Sequence, residues 1–373
     1  MKTLYLLLVS FICLLSFQSI AEETSDSSVT NNAVSSGKPP TEKPKKQQRW
    51  AFFPVLANTP ETGFKFGGLI FHFLPQKDTG SETSAIDAFA FITTKGQFCF
   101  SLTPNIFFLE DKYRFNAPTI IKSWKNNFYG IGNDSDDNKE LYKISMFTSD
   151  LLLERRFTYD LLLGGKCKLQ WEKIKPEAGG VLSSGSIYGS DGGFHTGIGL
   201  VGGYDSRDNF NAPHTGSYCT FEYTYHFGVG NDDRFHVEQL DLRHYFPTSE
   251  RTTFAIRGHM RTTHTDVPFR FMSTPDGAFI LRGIEKMRYS DNDMIALQTE
   301  FRYPIVWRFS GAAFCDLTQV APAIKDMKKD GFKPSIGLGI RFALNEKERV
   351  KIRADLAWVD KGIGFIIDVR EAF

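Results

Sequence analysis

The residues of this chain that could do chemistry lie far apart in sequence. Tyr204-Asp205-Ser206-Arg207-Asp208 has the acid density of a metal loop, but it reads better as a polar strand end and turn, with Pro213 and Gly216 as punctuation. Asn133-Asp134-Ser135-Asp136-Asp137-Asn138 resembles part of a calcium loop, yet it lacks the Gly and the distal Glu at the required offsets. It reads as a solvated loop. The histidines are scattered, and neither a G-x-S-x-G elbow nor an H-E-x-x-H pair occurs. His195, His214, Asp205 and Ser206 are expected near one end of the fold and need no catalytic role. Cys99, Cys167, Cys219 and Cys315 are widely spaced, form no C-x-x-C, and read as small apolar strand residues. Neither catalysis, a metal site nor a cofactor is expected. Arg282, beside Gly283, reads by itself as a solvated loop arginine, and Asp316 as one acid among many. A guanidinium shut away from water gains from a carboxylate that accepts two of its hydrogen bonds.

The elements that would position such a pair are strands. Ile336, Leu338, Ile340 and Phe342 alternate with Ser335, Gly337, Gly339 and Arg341. Val350, Ile352, Leu356 and Trp358 alternate with Lys351, Arg353 and Asp355, and Phe301 and Tyr303 with Glu300 and Arg302. A period of two is the strand signature. Charges on the second face would be costly in a small soluble core, whereas a wet barrel lumen accepts them while the apolar face meets lipid. About sixteen such segments can be counted, an even number as in single-chain bacterial barrels. Short connections such as 109–112 and 158–160 alternate with long ones such as 173–193 and 266–292. Segments 75–82 and 206–216 are longer than a short side should have. Aromatic residues at 14% of the chain, with Phe 35 and Tyr 13, suit lipid-facing bands and girdles.

The compartment follows from the first residues. Lys2, the apolar stretch Leu4 to Phe17 and Ser19-Ile20-Ala21 form the three parts of a secretory signal peptide. Residues 22–49 are polar, rich in Ser, Asn, Pro and Lys, and are expected to be a disordered periplasmic tail. Residues 50–373 keep one character and are read as one outer-membrane barrel domain. The net charge of +1 and the lack of a basic block give no reason to expect nucleic acid. GIGFIIDVREAF, with Phe365, Ile367 and Val369 on one face and an aromatic at Phe373, is similar to the C-terminal signal of outer-membrane barrels.

Leu281-Arg282-Gly283-Ile284, Phe314-Cys315-Asp316 and the segment 199–218 (Tyr204, Asp205, Arg207, Asp208, Asn209, Pro213, Gly216) together resemble the BamA/TamA-type surface-antigen barrels. QTEFRYPI at 298–305 and the stretch 337–358 resemble the last strands of that superfamily. Ile284 departs from the aromatic that ends the family's loop motif. The resemblance implies an all-β, antiparallel transmembrane barrel of sixteen strands whose long sixth outer loop folds into the lumen. It implies that Arg282 meets Asp316 there, with Glu300 as a second acid on the same face. It also implies help in the insertion or passage of protein or lipid at the outer membrane. The partners would be outer-membrane lipids, client barrels or lipids in transit, and the barrel assembly machinery for the chain's own insertion. Most members carry periplasmic POTRA domains, so the chain is similar to a short branch without them. A gated or passive solute channel, or a purely structural barrel, is the alternative.

Overall fold

A computed structural model describes residues 49–373 apart from 60–62, 76–81, 135–138, 347–348 and 361. The expected signal peptide and the tail up to residue 48 therefore lie outside the described residues.

The strands are β1 (Trp50–Thr59), β2 (Gly63–Phe73), β3 (Ala85–Thr93), β4 (Phe98–Phe108), β5 (Tyr113–Asn116), β6 (Thr119–Phe128), β7 (Glu140–Arg156), β8 (Leu161–Pro176) and β9 (Gly192–Asp205). They continue as β10 (Gly216–Gly228), β11 (Arg234–Ser249), β12 (Thr252–His264), β13 (Asp293–Val306), β14 (Phe309–Ala321), β15 (Lys333–Asn345), β16 (Val350–Val359) and β17 (Gly362–Val369). All belong to one sheet of 17 strands, and every ladder is antiparallel, joining chain neighbours except for β4–β6 and β5–β7.

The strand count differs from the expected sixteen for a local reason. β5 and β6 are one stave broken at Ala117-Pro118, because both halves pair with β4 on one side and β7 on the other. Pro118 has no N–H to give to a ladder. The break is stitched by Ala117 N donating to the Pro104 carbonyl at 3.2 Å and Asp150 N donating to the Pro118 carbonyl at 3.0 Å.

The two faces separate as the alternation requires. Ile336, Leu338, Ile340, Leu356 and Trp358 are exposed on the outer face. Arg341, Arg353 and Asp355 are buried on the inner one. No helix among the described residues is long and apolar enough to cross a membrane. A curled sheet satisfies its backbone groups between strands and can cross instead. Phe342 departs from its row: it is covered by Trp307 and Phe309 at the short-turn rim.

The ends of the wall are handled differently from the rest. β1 pairs with β2 over its whole length, Trp50 with His72 through Thr59 with Gly63. β17 pairs with β16 from Gly362 to Val369. Among the described residues no ladder joins β17 to β1. Side chains bridge the gap instead. Phe71, Phe73, Ala85 and Val350 form a buried cluster with Phe53 and Val369 packed against it, and Arg370 forms an ion pair with Asp87 on β3.

Candidate functional site

Residues 265–292 form the longest connection, running from β12 to β13. It folds back on itself through a bridge between Ser273 and Asp291. The Asp276 carboxylate accepts from Ala278 N at 2.7 Å and Phe279 N at 3.2 Å, which shapes the turn before the tip. Leu281 is buried with Tyr289, Met294 and Val320. At Gly283 the backbone takes φ +95°, a conformation that glycine adopts without strain. A Cβ there would lie 2.7 Å from the Ala357 Cβ, so the tip rests directly on β16. A Cβ at Gly364 would run into the Gly283 backbone, which brings the tip onto β17 as well.

Arg282 is 0% exposed and lies among inward side chains of β13 to β16. Its Nε and Nη2 each donate to Asp316 at 2.8 Å, and its backbone N donates to the same carboxylate at 3.1 Å. Nη1 donates to Glu300. The guanidinium stacks 3.5 Å from the centre of the Phe314 ring. Ser335 Oγ donates to the Arg282 carbonyl at 2.6 Å. Phe314 and Asp316 share one face of β14, so the F-x-D spacing supplies both the flat wall and the acid.

The pair belongs to a larger array. Glu300 also accepts from Arg302 at 2.7 Å and from Arg341 at 3.3 Å. Arg341 is paired with Asp355, and Asp355 with Arg353 at 2.7 Å. Arg353 donates to the Ala278 carbonyl at 2.7 Å, a second tie from wall to loop. Four arginines (282, 302, 341, 353) thus meet Glu300, Asp316, Asp355 and, from beyond β17, Glu371. Each buried charge has an opposite neighbour, the condition under which burial of ions is tolerated.

Toward the short-turn end, two further segments reach the same array. In 206–216, Asp208 accepts from His214 N at 2.8 Å and from Arg349, and the Pro213 carbonyl accepts from Arg302 at 3.3 Å. Asp205 is held by Arg207 through Nε at 2.8 Å and Nη2 at 2.7 Å, a compact acid–arginine turn. In 370–373, Arg370 takes φ 73° and turns the chain inward. Glu371 accepts from Arg341 at 2.9 Å and Lys351 at 3.2 Å. Burial pushes the Glu371 carboxyl up, but Arg341, Arg302 and Lys351 outweigh it and hold it down at about 2.

The C-terminal residues divide between two environments. Phe365 and Ile367 are exposed on the outer face, and Val369 packs at the seam. Phe373 does not continue their row as a girdle aromatic. It is 4% exposed, packs on Tyr245 and Ala255, and its carbonyl accepts from Arg302 at 2.7 Å. The left-handed turn at Arg370 and the cations waiting inside account for the difference. The signal in the sequence was Glu371, an acid within the closing Arg-Glu-Ala-Phe.

The remaining candidates resolve as structural groups. His195 and His214 do not share one end as expected: His214 bonds Thr253 at 2.7 Å by the short β11–β12 turn, and His195, near the start of β9, bonds Asp233 at 2.6 Å at the opposite end of the barrel. Asn133 ties the β6–β7 connection to the β14–β15 connection, donating to the Gly331 carbonyl at 2.7 Å, and Asp134 pairs with Lys333 at 3.0 Å. The rest of that acidic run, 135–138, lies outside the described residues. The four cysteines are free.

Among solved structures, the chain is similar to BamA from Haemophilus ducreyi lacking POTRA domains 1-3, at TM-score 0.54 and 11% identity, covering 87% of this chain and 69% of that one. It is likewise similar to CdiB from Acinetobacter baumannii, at TM-score 0.55 and 12% identity, covering 86% of this chain and 60% of that one. The chain thus spans under two thirds of the CdiB chain, and at these identities the likeness concerns the fold. No curated protein sequence matches the chain. The Omp85 superfamily domain matches residues 94–364. That span runs from just before β4 into β17 and contains both Arg282 and Asp316, and the chain belongs to the Omp85 superfamily of outer-membrane barrels.

Proposed function

We propose that the protein assists insertion or passage of protein or lipid at the outer membrane, through a seam between β1 and β17 governed by the tip of the 265–292 connection. The observation that carries this reading is the missing β1–β17 ladder among the described residues, where every other neighbouring pair is laddered. Unpaired strand edges are templates for another strand. The Gly283 tip abuts β17 at Gly364, so the Arg282 lock and the seam share one strand. Displacing the tip would free the edge strand from its inner support. A gated solute channel is the second reading, supported by Lys65 and Lys122, which face the lumen opposite Thr93 and Cys99.

A cross-link tests the seam. Phe53→Cys and Val369→Cys, with the four native cysteines changed to Ala, are joined by a short bis-maleimide. The control joins Phe53→Cys to Leu69→Cys, a laddered pair within β1 and β2. The protein is placed in lipid vesicles, and the folding rate of a small client barrel is read. Acceleration that the seam cross-link abolishes and the control leaves intact supports the proposal. Acceleration indifferent to the seam cross-link, or absent altogether while planar bilayers show ion conductance, favours the channel.

A further inference from the structure

Three side chains that the sequence scatters meet on the outer face of the wall. His236 on β11 lies directly opposite His264 on β12, with Glu238 one outward position further along β11. The imidazole rings are stacked with centroids 4.5 Å apart, and His264 Nε2 lies 4.0 Å from Glu238 Oε2. One ligand atom from each of the three falls within 4.8 Å of the others. Among the described residues no other group of three His, Cys, Asp or Glu side chains meets that standard.

The face is set by register. Tyr225 pairs with His236 and Tyr223 with Glu238, and both tyrosines are exposed on the outside. Phe235, next in the chain, is buried on the inside against Phe271. The level follows from the connections, because β12 ends at His264 and the long 265–292 connection starts at once. Tyrosines beside a long-loop rim mark the membrane–water boundary.

We infer that His236, His264 and Glu238 form a binding site for a divalent transition-metal ion, of which zinc is the type. Two imidazoles and one carboxylate are the ligand set zinc accepts when one position stays open, with bonds of about 2.0–2.2 Å. The hard cations of the medium prefer all-oxygen sites, so imidazoles favour zinc over calcium or magnesium. The donor atoms must close by about an ångström to share one ion at those bond lengths. Side-chain rotation supplies that on exposed His264 and half-buried His236 and Glu238, and the backbone is already held by the β11–β12 ladder. The open position faces the interface and is completed by water.

Such an ion would staple the long-loop ends of β11 and β12 at the root of the 265–292 connection. Thr265 already ties that root, its hydroxyl donating to the Arg234 carbonyl at 2.8 Å.

The test uses the full chain, free of any histidine tag, folded in detergent. Zinc is titrated by calorimetry, and cobalt(II) is followed by its visible absorption. One ion per chain is expected, with tetrahedral cobalt bands. His236→Gln and His264→Gln should each weaken binding by more than about 100-fold, beyond what loss of an outer-shell partner costs. Zinc should raise the melting temperature of the native chain and leave that of His264→Gln unchanged, since only a bound state is stabilised. His214→Gln, at the opposite rim, should bind as the native chain does. Heat-modified migration on gels shows that each variant is folded. No saturable binding below 1 mM zinc, or binding that survives in both rim variants, would overturn the inference.

Discussion

Arg282 gives Asp316 three donors at once, two from the guanidinium and one from its own backbone N, at 2.8, 2.8 and 3.1 Å. The loop tip is therefore positioned by backbone and side chain together. Removing Arg282 strips the buried Asp316 of its guanidinium, at a cost of about 3–5 kcal/mol, whereas removing Asp316 leaves Arg282 its Glu300 partner and should cost less. Arg282→Ala and Asp316→Ala should each open the 265–292 connection to added protease. The double variant should be little worse than Arg282→Ala alone, because the shared interaction is already gone. Additive effects on the cleavage rate would count against the pair.

The contact between Gly283 and Gly364 offers a second probe. A side chain at 364 has no room beside the Gly283 backbone. Gly364→Val should push the tip off β17 while leaving Arg282 and Asp316 in place. Single-channel recordings should then show more frequent openings than the native barrel. Native-like silence would mean that the tip does not depend on this contact.

Leu338 reports on the lipid face, being 55% exposed on β15. Leu338→Arg should destabilise the barrel by roughly 2–4 kcal/mol if the position lies near the bilayer midplane. Gly339→Ala faces inward, where a Cβ would meet Asp355 and Arg341. It should disturb the charge array and leave lipid partitioning alone. Urea titrations in vesicles distinguish the two.

Glu371 predicts a pH response. Its folded carboxyl sits at about 2 against an ordinary 4.5. A depressed value means the stabilisation is complete above about 4.5 and is lost as pH falls toward 2. A fluorinated phenylalanine at 373, read by fluorine NMR, should report a buried ring at neutral pH and a mobile one at the acid end. Glu371→Gln should show the mobile signal already at neutral pH. A ring that stays buried in that variant would assign the docking to packing on Tyr245 and Ala255 and to the Arg302 bond to the Phe373 carbonyl.

Much of the wall was legible because a membrane barrel writes its two environments into alternate residues. Arg341, Arg353 and Asp355 could be placed inside, and Ile336, Leu338 and Ile340 outside, from period two alone. The break at Ala117-Pro118 was not legible, since Pro118 in a polar-edged strand signals weak pairing but not that both halves keep the same partners. The meeting of Arg282 with Asp316 came from ordered motifs, not from periodicity. His236 and His264 could not be paired in advance, because cross-strand partners depend on register, and the register here is set through ladders and a bulge between Pro247 and Ser249. The inward turn of 370–373 was hidden for another reason. An alternating strand followed by an aromatic looks the same whether its end lies in a girdle or beneath it.

That inward turn also bears on the order of assembly. Glu371 and Phe373 rest on Arg341, Arg302 and Tyr245, which belong to β15, β13 and β11. On a flat, uncurled sheet these strands would not surround a common point beside β17. Residues 370–373 can reach their places only once the wall has bent round to meet them. Their docking is thus a late event, and it serves as the molecule's own record that its curvature is complete.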